Sequence, residues 1–291
     1  MQCSPGNKGQ QLGSGFIPVP GHVPSNQITC YSLRKLKKMA DSYNKYYPQS
    51  IPISYSGMNA DELWTELQKR LSKECGNNEV CWVRQPFAKK SGDTELLKFT
   101  FKPPKPKGKY MWLSTSDIED VMKQYESAYP EFKFIGPVPI DFMKVMPDLV
   151  LLDFAKLLKN GITKIGIIFN TDPSYRDGEH WISMFINLSP PKPSISFYDS
   201  VAICPAPSEV RKYIDYIIGQ TDKLQKVWGA KCNFTINCNN VKHQRKNSEC
   251  GVYSMFYITE SLRGKSFKQI SNNIIRDEEM NANRDKFFSP I

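Results

Sequence analysis

The chain has 291 residues, 40% hydrophobic and 12% aromatic, with 39 Lys+Arg against 29 Asp+Glu for a net charge of +10. This is ordinary globular composition, long enough for one large or two modest domains that bury a core without help from disulfides. No stretch approaches the ~18 apolar residues of a membrane span, and residues 1–28 lack the apolar run of a secretory signal, so no membrane partner is expected. On that ground the eight cysteines are expected to be free and reduced. The positive balance points to acidic partners, either an acidic polyprotein or nonspecific contact with nucleic acid, or else to a solvated lysine-rich surface.

Residues 1–28 are rich in Gly, Pro, Ser, Asn and Gln without periodicity, and are expected to be a flexible tail. Leu33, Leu36, Ala40 and Tyr43 then recur at helical spacing until Pro48 and Pro52 end the element. Asn59 with Glu62 gives an N-cap signal for a helix carrying Leu63, Trp64, Leu67 and Leu71, stopping near Cys75-Gly76. Cys81 to Phe87 reads as a short docking segment, so residues 29–100 form a helical arm. Cys75 and Cys81 lack two further nearby metal ligands and are expected as buried thiols. Residues 101–109, with three prolines and four lysines between Lys102 and Lys109, read as a linker. Residues 110–291 are then the main domain.

That domain opens with Ser116 and Glu119 spaced as a capping box before the apolar face of Ile118, Val121, Met122 and Tyr125. Residues 140–158 read as partly helical, with a break at Pro147. Three β-rich runs follow, Lys164–Asn170, Trp181–Asn187 and Ser194–Tyr198, enough for the core of a mixed sheet. A helix is expected from Ser208, a short strand at Phe234–Ile236, and one or two helices around Phe267–Ile270 and Ile274–Ile275. The expected fold class is α+β, a central mixed sheet flanked by helices, with the N-terminal helical arm.

The chemistry concentrates around Cys250. A polar run, His243 to Glu249, ends at this cysteine, and an apolar segment from Val252 to Ile258 predicts a buried helix with Cys250 at its N-terminus. Backbone N–H groups and the helix dipole favour an anion there, and a thiolate is one. The plain alternative is a small core cysteine. A thiol nucleophile needs a base, and among His22, His180 and His243 the strongest candidate is His180. It opens one strand, and Asp199 ends the next, so neighbouring strands bring a carboxylate beside the imidazole. Trp181 is expected to wall the cleft, and Gly251 to let a substrate backbone approach the nucleophile.

His180-Trp181, Tyr198-Asp199-Ser200, and Gln244 six residues before Cys250-Gly251 together resemble the motif set of the SUMO-specific and adenovirus-type cysteine proteases. The order His, Asp, Gln, Cys also matches. Within that family, the wording from His243 to Ile258 resembles most the polyprotein-processing proteases of African swine fever virus and its large-DNA-virus relatives. The resemblance spans roughly residues 110–291 and implies a Cys250-His180-Asp199 triad with Gln244 as oxyanion donor. It implies a viral polyprotein as substrate, cut after Gly-Gly, and a place in the infected-cell cytoplasm, the viral factory and the virion. Trp112 stands where the family has a Trp-Leu-Asn-Asp motif whose Trp covers the substrate's glycines, but Ser114 and Thr115 replace Asn-Asp. Read otherwise, Trp112 is a core tryptophan.

Neither a cofactor nor a metal is expected. The alternatives are a deconjugating protease for a SUMO-like modifier, an acyltransferase on the same site, an inactive binding module, and a zinc-binding nucleic-acid module. The last would use Cys232, Cys238, His243 and Cys250, at a spacing that fits no strong ligand template.

Overall fold

The computed structural model describes residues 3–5, 10–11, 28–90 and 100–289. The chain divides into two compact units, Met1–Pro104 with Phe288–Ile291, and Lys105–Phe287. The division falls inside the segment 101–109.

Most of the expected tail lies outside the described residues. In what is described of it, Gln10–Gln11 (β1) pairs antiparallel with Ile28–Thr29 (β2), and Cys3 is disulfide-bonded to Cys30. The first unit continues through α1 (Leu33–Tyr46), α2 (Ala60–Cys75), α3 (Glu79–Trp82) and α4 (Pro86–Lys90). Asn59 and Glu62 form a complete capping box at the start of α2. Tyr31, Trp64, Trp82 and Phe87 are fully buried, and Tyr31 stacks on Trp82 with ring centroids 5.6 Å apart. The Cys81 to Phe87 stretch is therefore core, with Trp82 and Phe87 inside.

The expectation of free thiols is corrected. Among the described residues, Cys3–Cys30, Cys75–Cys81 and Cys204–Cys238 are bonded, with Cα separations of 5.2, 5.5 and 6.1 Å, and Cys232 and Cys250 are free. Composition speaks at most to compartment. Pairing depends on two Cα atoms coming within bonding range, which only the fold decides.

The second unit begins with α5 (Thr115–Ala128). Its N-cap is Ser114, not Ser116: Ser114 accepts from the Asp117 N–H, and the Asp117 carboxylate accepts from the Ser114 N–H. Two overlapping Ser-x-x-acid pairs fit the sequence, and the buried Leu113, whose carbonyl accepts from Trp181 Nε1, pins the entry to the earlier one. Next come β3 (Phe132–Pro139), α6 (Phe142–Val145), α7 (Pro147–Val150), α8 (Phe154–Lys159), β4 (Lys164–Asn170), β5 (Trp181–Asn187) and β6 (Ser194–Tyr198). Pro147 begins a helix rather than only breaking one. Then follow α9 (Ser208–Ile218), α10 (Thr221–Trp228), β7 (Thr235–Cys238), α11 (Cys250–Leu262), α12 (Phe267–Ser271), α13 (Asp277–Ala282) and α14 (Arg284–Phe287).

The sheet order is β3-β4-β5-β6-β7, parallel at both edges and antiparallel within. Strand β3 escapes the sequence pattern because Gly136, Pro137 and Pro139 interrupt it; an edge strand with a bulge between Phe134 and Gly136 tolerates them. One sheet face carries Ile165, Ile167, Phe169, Ile182, Met184, Ile186, Ile195 and Phe197, which pack with Phe154 of α8, Val210, Tyr213 and Ile217 of α9, and Leu224 of α10. The other face receives α11. Gly166 makes room for it, since a Cβ there would lie 2.9 Å from Phe132 and 3.0 Å from Ile258. Along α11, Val252, Met255 and Ile258 are fully buried, each contributing roughly 1.5–3 kcal/mol. The Ser254 and Tyr257 hydroxyls donate to the Trp181 and Ser196 carbonyls across the sheet. This packing sets the start of α11 against the end of the sheet where β5 begins and β6 ends.

Candidate active site

His180 precedes β5 and Asp199 follows β6. The antiparallel pairing of the two strands, with Ser183 opposite Tyr198, brings these ends together. His180 Nε2 lies 2.7 Å from Asp199 Oδ1, and the ring lies close enough to Cys250 for the thiol to act on its pKa. Burial by itself pushes the His180 pKa down. The hydrogen bonds to Asp199 and Cys250, with the charge of both, outweigh it and bring the imidazole up to about 9. Asp199 is 1% exposed. Its backbone is clamped by Asn239, whose Oδ1 accepts from the Asp199 N–H at 2.8 Å and whose Nδ2 donates to the Asp199 carbonyl at 2.7 Å.

Cys250 is buried at the first position of α11, and no side chain caps that helix start. Backbone donors there stay open to an anion. Gln244 is buried nearby in sequence: its Oε1 accepts from Ser200 Oγ at 2.6 Å and its Nε2 donates to the Lys246 carbonyl at 2.7 Å. Next to Cys250 in sequence, Glu249 pairs with Arg284 Nε at 2.9 Å, both essentially without exposure. Asn281 Nδ2 and Ser248 Oγ also donate to Glu249, and Arg284 Nη2 reaches the Met111 carbonyl at 2.7 Å.

Two clefts border this centre. One of about 700 Å³ runs past Trp112, Leu113 and Trp181 between an apolar wall of Val138, Pro139, Val145 and Met146 and a polar wall from Asn170 to Glu179. That polar wall carries Asp172, Asp177 and Glu179 against the single Arg176, opposite in sign to the protein's net charge. The other, about 690 Å³, is lined by Tyr110, Trp112 and Arg245 to Ser248. Trp112 borders both. A thiol beside an imidazole that a carboxylate orients can perform nucleophilic attack on a carbonyl.

The model of the Ulp1 protease family, C-terminal catalytic domain, matches residues 162–291. A protein of Acanthamoeba polyphaga mimivirus named a thiol protease is 32% identical over 92% of this chain and 92% of its own. The chain belongs to the Ulp1-like family of cysteine proteases. The SUMO-1 cysteine protease of African swine fever virus is 26% identical over 78% of this chain and 88% of its own. A crystal structure of the African swine fever virus protease shares the fold, with a TM-score of 0.63 at 21% identity over 92% of this chain and 94% of that one.

In this protease the four residues expected to act together, Cys250, His180, Asp199 and Gln244, lie on the adjoining ends of β5, β6 and α11 and the loop before α11. His243 is excluded as a base. Its Nε2 donates to the Ser271 carbonyl, its Nδ1 accepts from the Ile275 N–H, and burial pushes its pKa down. That engagement, with the Cys204–Cys238 bond, also removes the zinc reading of Cys232, Cys238, His243 and Cys250, because two of its four ligands are committed elsewhere. Trp112 is 46% exposed, so the core reading of it is corrected. At Gly251 a Cβ would lie 3.2 Å from Leu113 and 3.3 Å from Trp181, so its missing side chain lets those two residues pack against the start of α11. Sequence reasoning missed Asn239, Glu249 and Arg284 as supports of the site. None has a local signal, since each partner is at least thirty residues away.

Proposed function

We propose that this protease is an endopeptidase that cuts viral structural polyproteins after Gly-Gly, using Cys250 as nucleophile. Its mechanism begins with His180 taking the thiol proton; the same ring later gives a proton to the leaving amine. Asp199 holds the working tautomer and favours the imidazolium. Gln244 donates its second side-chain N–H to the developing oxyanion, beside the Cys250 backbone N–H, and cannot compete for the proton because an amide does not ionise. Trp112 and Trp181 wall the channel for a substrate main chain with small residues. The helical arm serves capture of the folded polyprotein, and the site of action is the infected-cell cytoplasm and the virion.

The observation that carries the reading is the His180 ring hydrogen-bonded to a buried carboxylate, with the thiol at the start of a buried helix close enough to act on its pKa. What supports the viral setting is likeness to proteases of two large DNA viruses. The name of the African swine fever virus relative favours a second reading, release of a SUMO-like modifier. One experiment tests both: N-terminomics on virion proteins incubated with the wild type and with Cys250→Ala. New termini following Gly-Gly in structural polyproteins support the proposal. Release of an intact modifier from lysine side chains, without such termini, replaces it with the second reading. Identical termini in both samples, with no modifier released, refute both.

A further inference from the structure

The turn that closes β6 places two consecutive side chains on two different parts of the site. Asp199 holds His180, while Ser200 donates its hydroxyl to Gln244 Oε1 at 2.6 Å. Ser200 and Gln244 are 1% and 2% exposed. The Ser200 carbonyl also accepts the backbone N–H groups of His243 and Gln244, each at 2.9 Å. Ser200 therefore grips Gln244 at both its main chain and its side chain, across 44 residues of sequence.

A primary amide is nearly symmetric in shape, and a half-turn exchanges its donor and acceptor ends. Here the Lys246 carbonyl accepts one N–H, so a flipped amide would set oxygen against oxygen. The Ser200 hydroxyl satisfies Oε1 and holds the amide plane. With Oε1 and one N–H engaged, the second N–H is the part of the amide left for another acceptor. We propose that Ser200 is a positioning residue for the oxyanion, acting on the reaction through Gln244 as Asp199 acts through His180. This rests on reading Gln244 as the oxyanion donor, and the test separates the two.

Alkylation of Cys250 by iodoacetamide forms no oxyanion and reports only on the thiol and its base, whereas peptide cleavage needs both. Ser200→Ala should lower kcat about 10- to 100-fold with KM little changed, less than the roughly 10²–10³-fold expected for Gln244→Ala. The alkylation rate and its pH profile should stay as in the wild type. In the Gln244→Ala background, adding Ser200→Ala should cost no more than about 2-fold, because the residue it acts through is gone. Ser200→Thr keeps the hydroxyl and should retain most of kcat. Ser200→Cys keeps the volume with a poorer donor and should fall with Ser200→Ala, so the comparison survives if the alanine variant folds badly. An equal loss from Ser200→Ala in both backgrounds overturns the inference and leaves Gln244 in place. A shifted alkylation profile overturns it in favour of a structural hold on Asp199. Full kcat in Gln244→Ala overturns the reading of Gln244 and the inference with it.

Discussion

Replacing Arg284 by Met should destabilise the catalytic unit more than any surface change, and should do so through the nucleophile's neighbour. Arg284 and Glu249 are 0% and 1% exposed at the side chain, with Nε 2.9 Å from the carboxylate. Met keeps the stem and most of the packing, so the loss isolates the charge. It leaves the Glu249 carboxylate buried with only two neutral donors, Asn281 Nδ2 at 2.8 Å and Ser248 Oγ at 3.1 Å. Removing one partner of a buried pair costs about 3–5 kcal/mol. At roughly 2–4 °C per kcal/mol for a domain of this size, Tm should fall by about 6–20 °C. The pair already carries an unmet cost, because Arg284 Nη1 is buried without a partner. Glu249→Gln combined with Arg284→Met should therefore recover most of the lost Tm, since no lone charge remains. Arg284 also holds the Met111 carbonyl, so the single variant should raise KM through the neighbouring Trp112. Calorimetry on the wild type, both single variants and the double variant at one protein concentration is the assay. A fall under about 2 °C for Arg284→Met, or a double variant no more stable than the single, would refute the argument, since a buried charge cannot be orphaned so cheaply.

Cys250→Ala should abolish cleavage with Tm nearly unchanged, because α11 packs through Val252, Met255 and Ile258; in mapped alkylation of the wild type without reductant, Cys250 should react ahead of Cys232, the other free thiol. Asp199→Asn should keep partial activity, since its amide oxygen still accepts from the imidazole, whereas Asp199→Ala should lose far more; equal activity of Asp199→Ala and wild type removes Asp199 from the mechanism. The His180 pKa is raised from 6.5 to about 9, so the stability it contributes is complete below pH 6.5 and lost as pH rises through about 9. Asp199→Ala should move that alkaline loss toward neutrality, read from pH-dependent melting and from the alkaline limb of kcat/KM. Gly251→Ala should cost about 1–3 kcal/mol and lower kcat, as its Cβ presses on Leu113 and Trp181 beside the nucleophile; unchanged Tm and kcat would mean that those side chains yield freely.

Much of this protein was determined by its sequence alone. The helices α1, α2, α9 and α11 and the strands β4, β5 and β6 carry apolar periodicity strong enough to be read locally. The grouping of Cys250, His180, Asp199 and Gln244 as a candidate site was legible because these residue types sit at element ends in a fixed order, and ends of neighbouring strands meet. Periodicity fails where a strand is an edge interrupted by Gly136, Pro137 and Pro139, and where two Ser-x-x-acid pairs compete, as at Ser114 and Ser116. A sum over 291 residues does not describe the field in one cleft, whose polar wall is acidic in a protein of charge +10. Tertiary structure alone decided the pairings of Ser200 with Gln244, Glu249 with Arg284, Asn239 with Asp199, and the three disulfides. Each joins atoms within a few ångströms that no short-range pattern links, because hydrogen bonds and disulfides depend on distance in space and not on spacing along the chain.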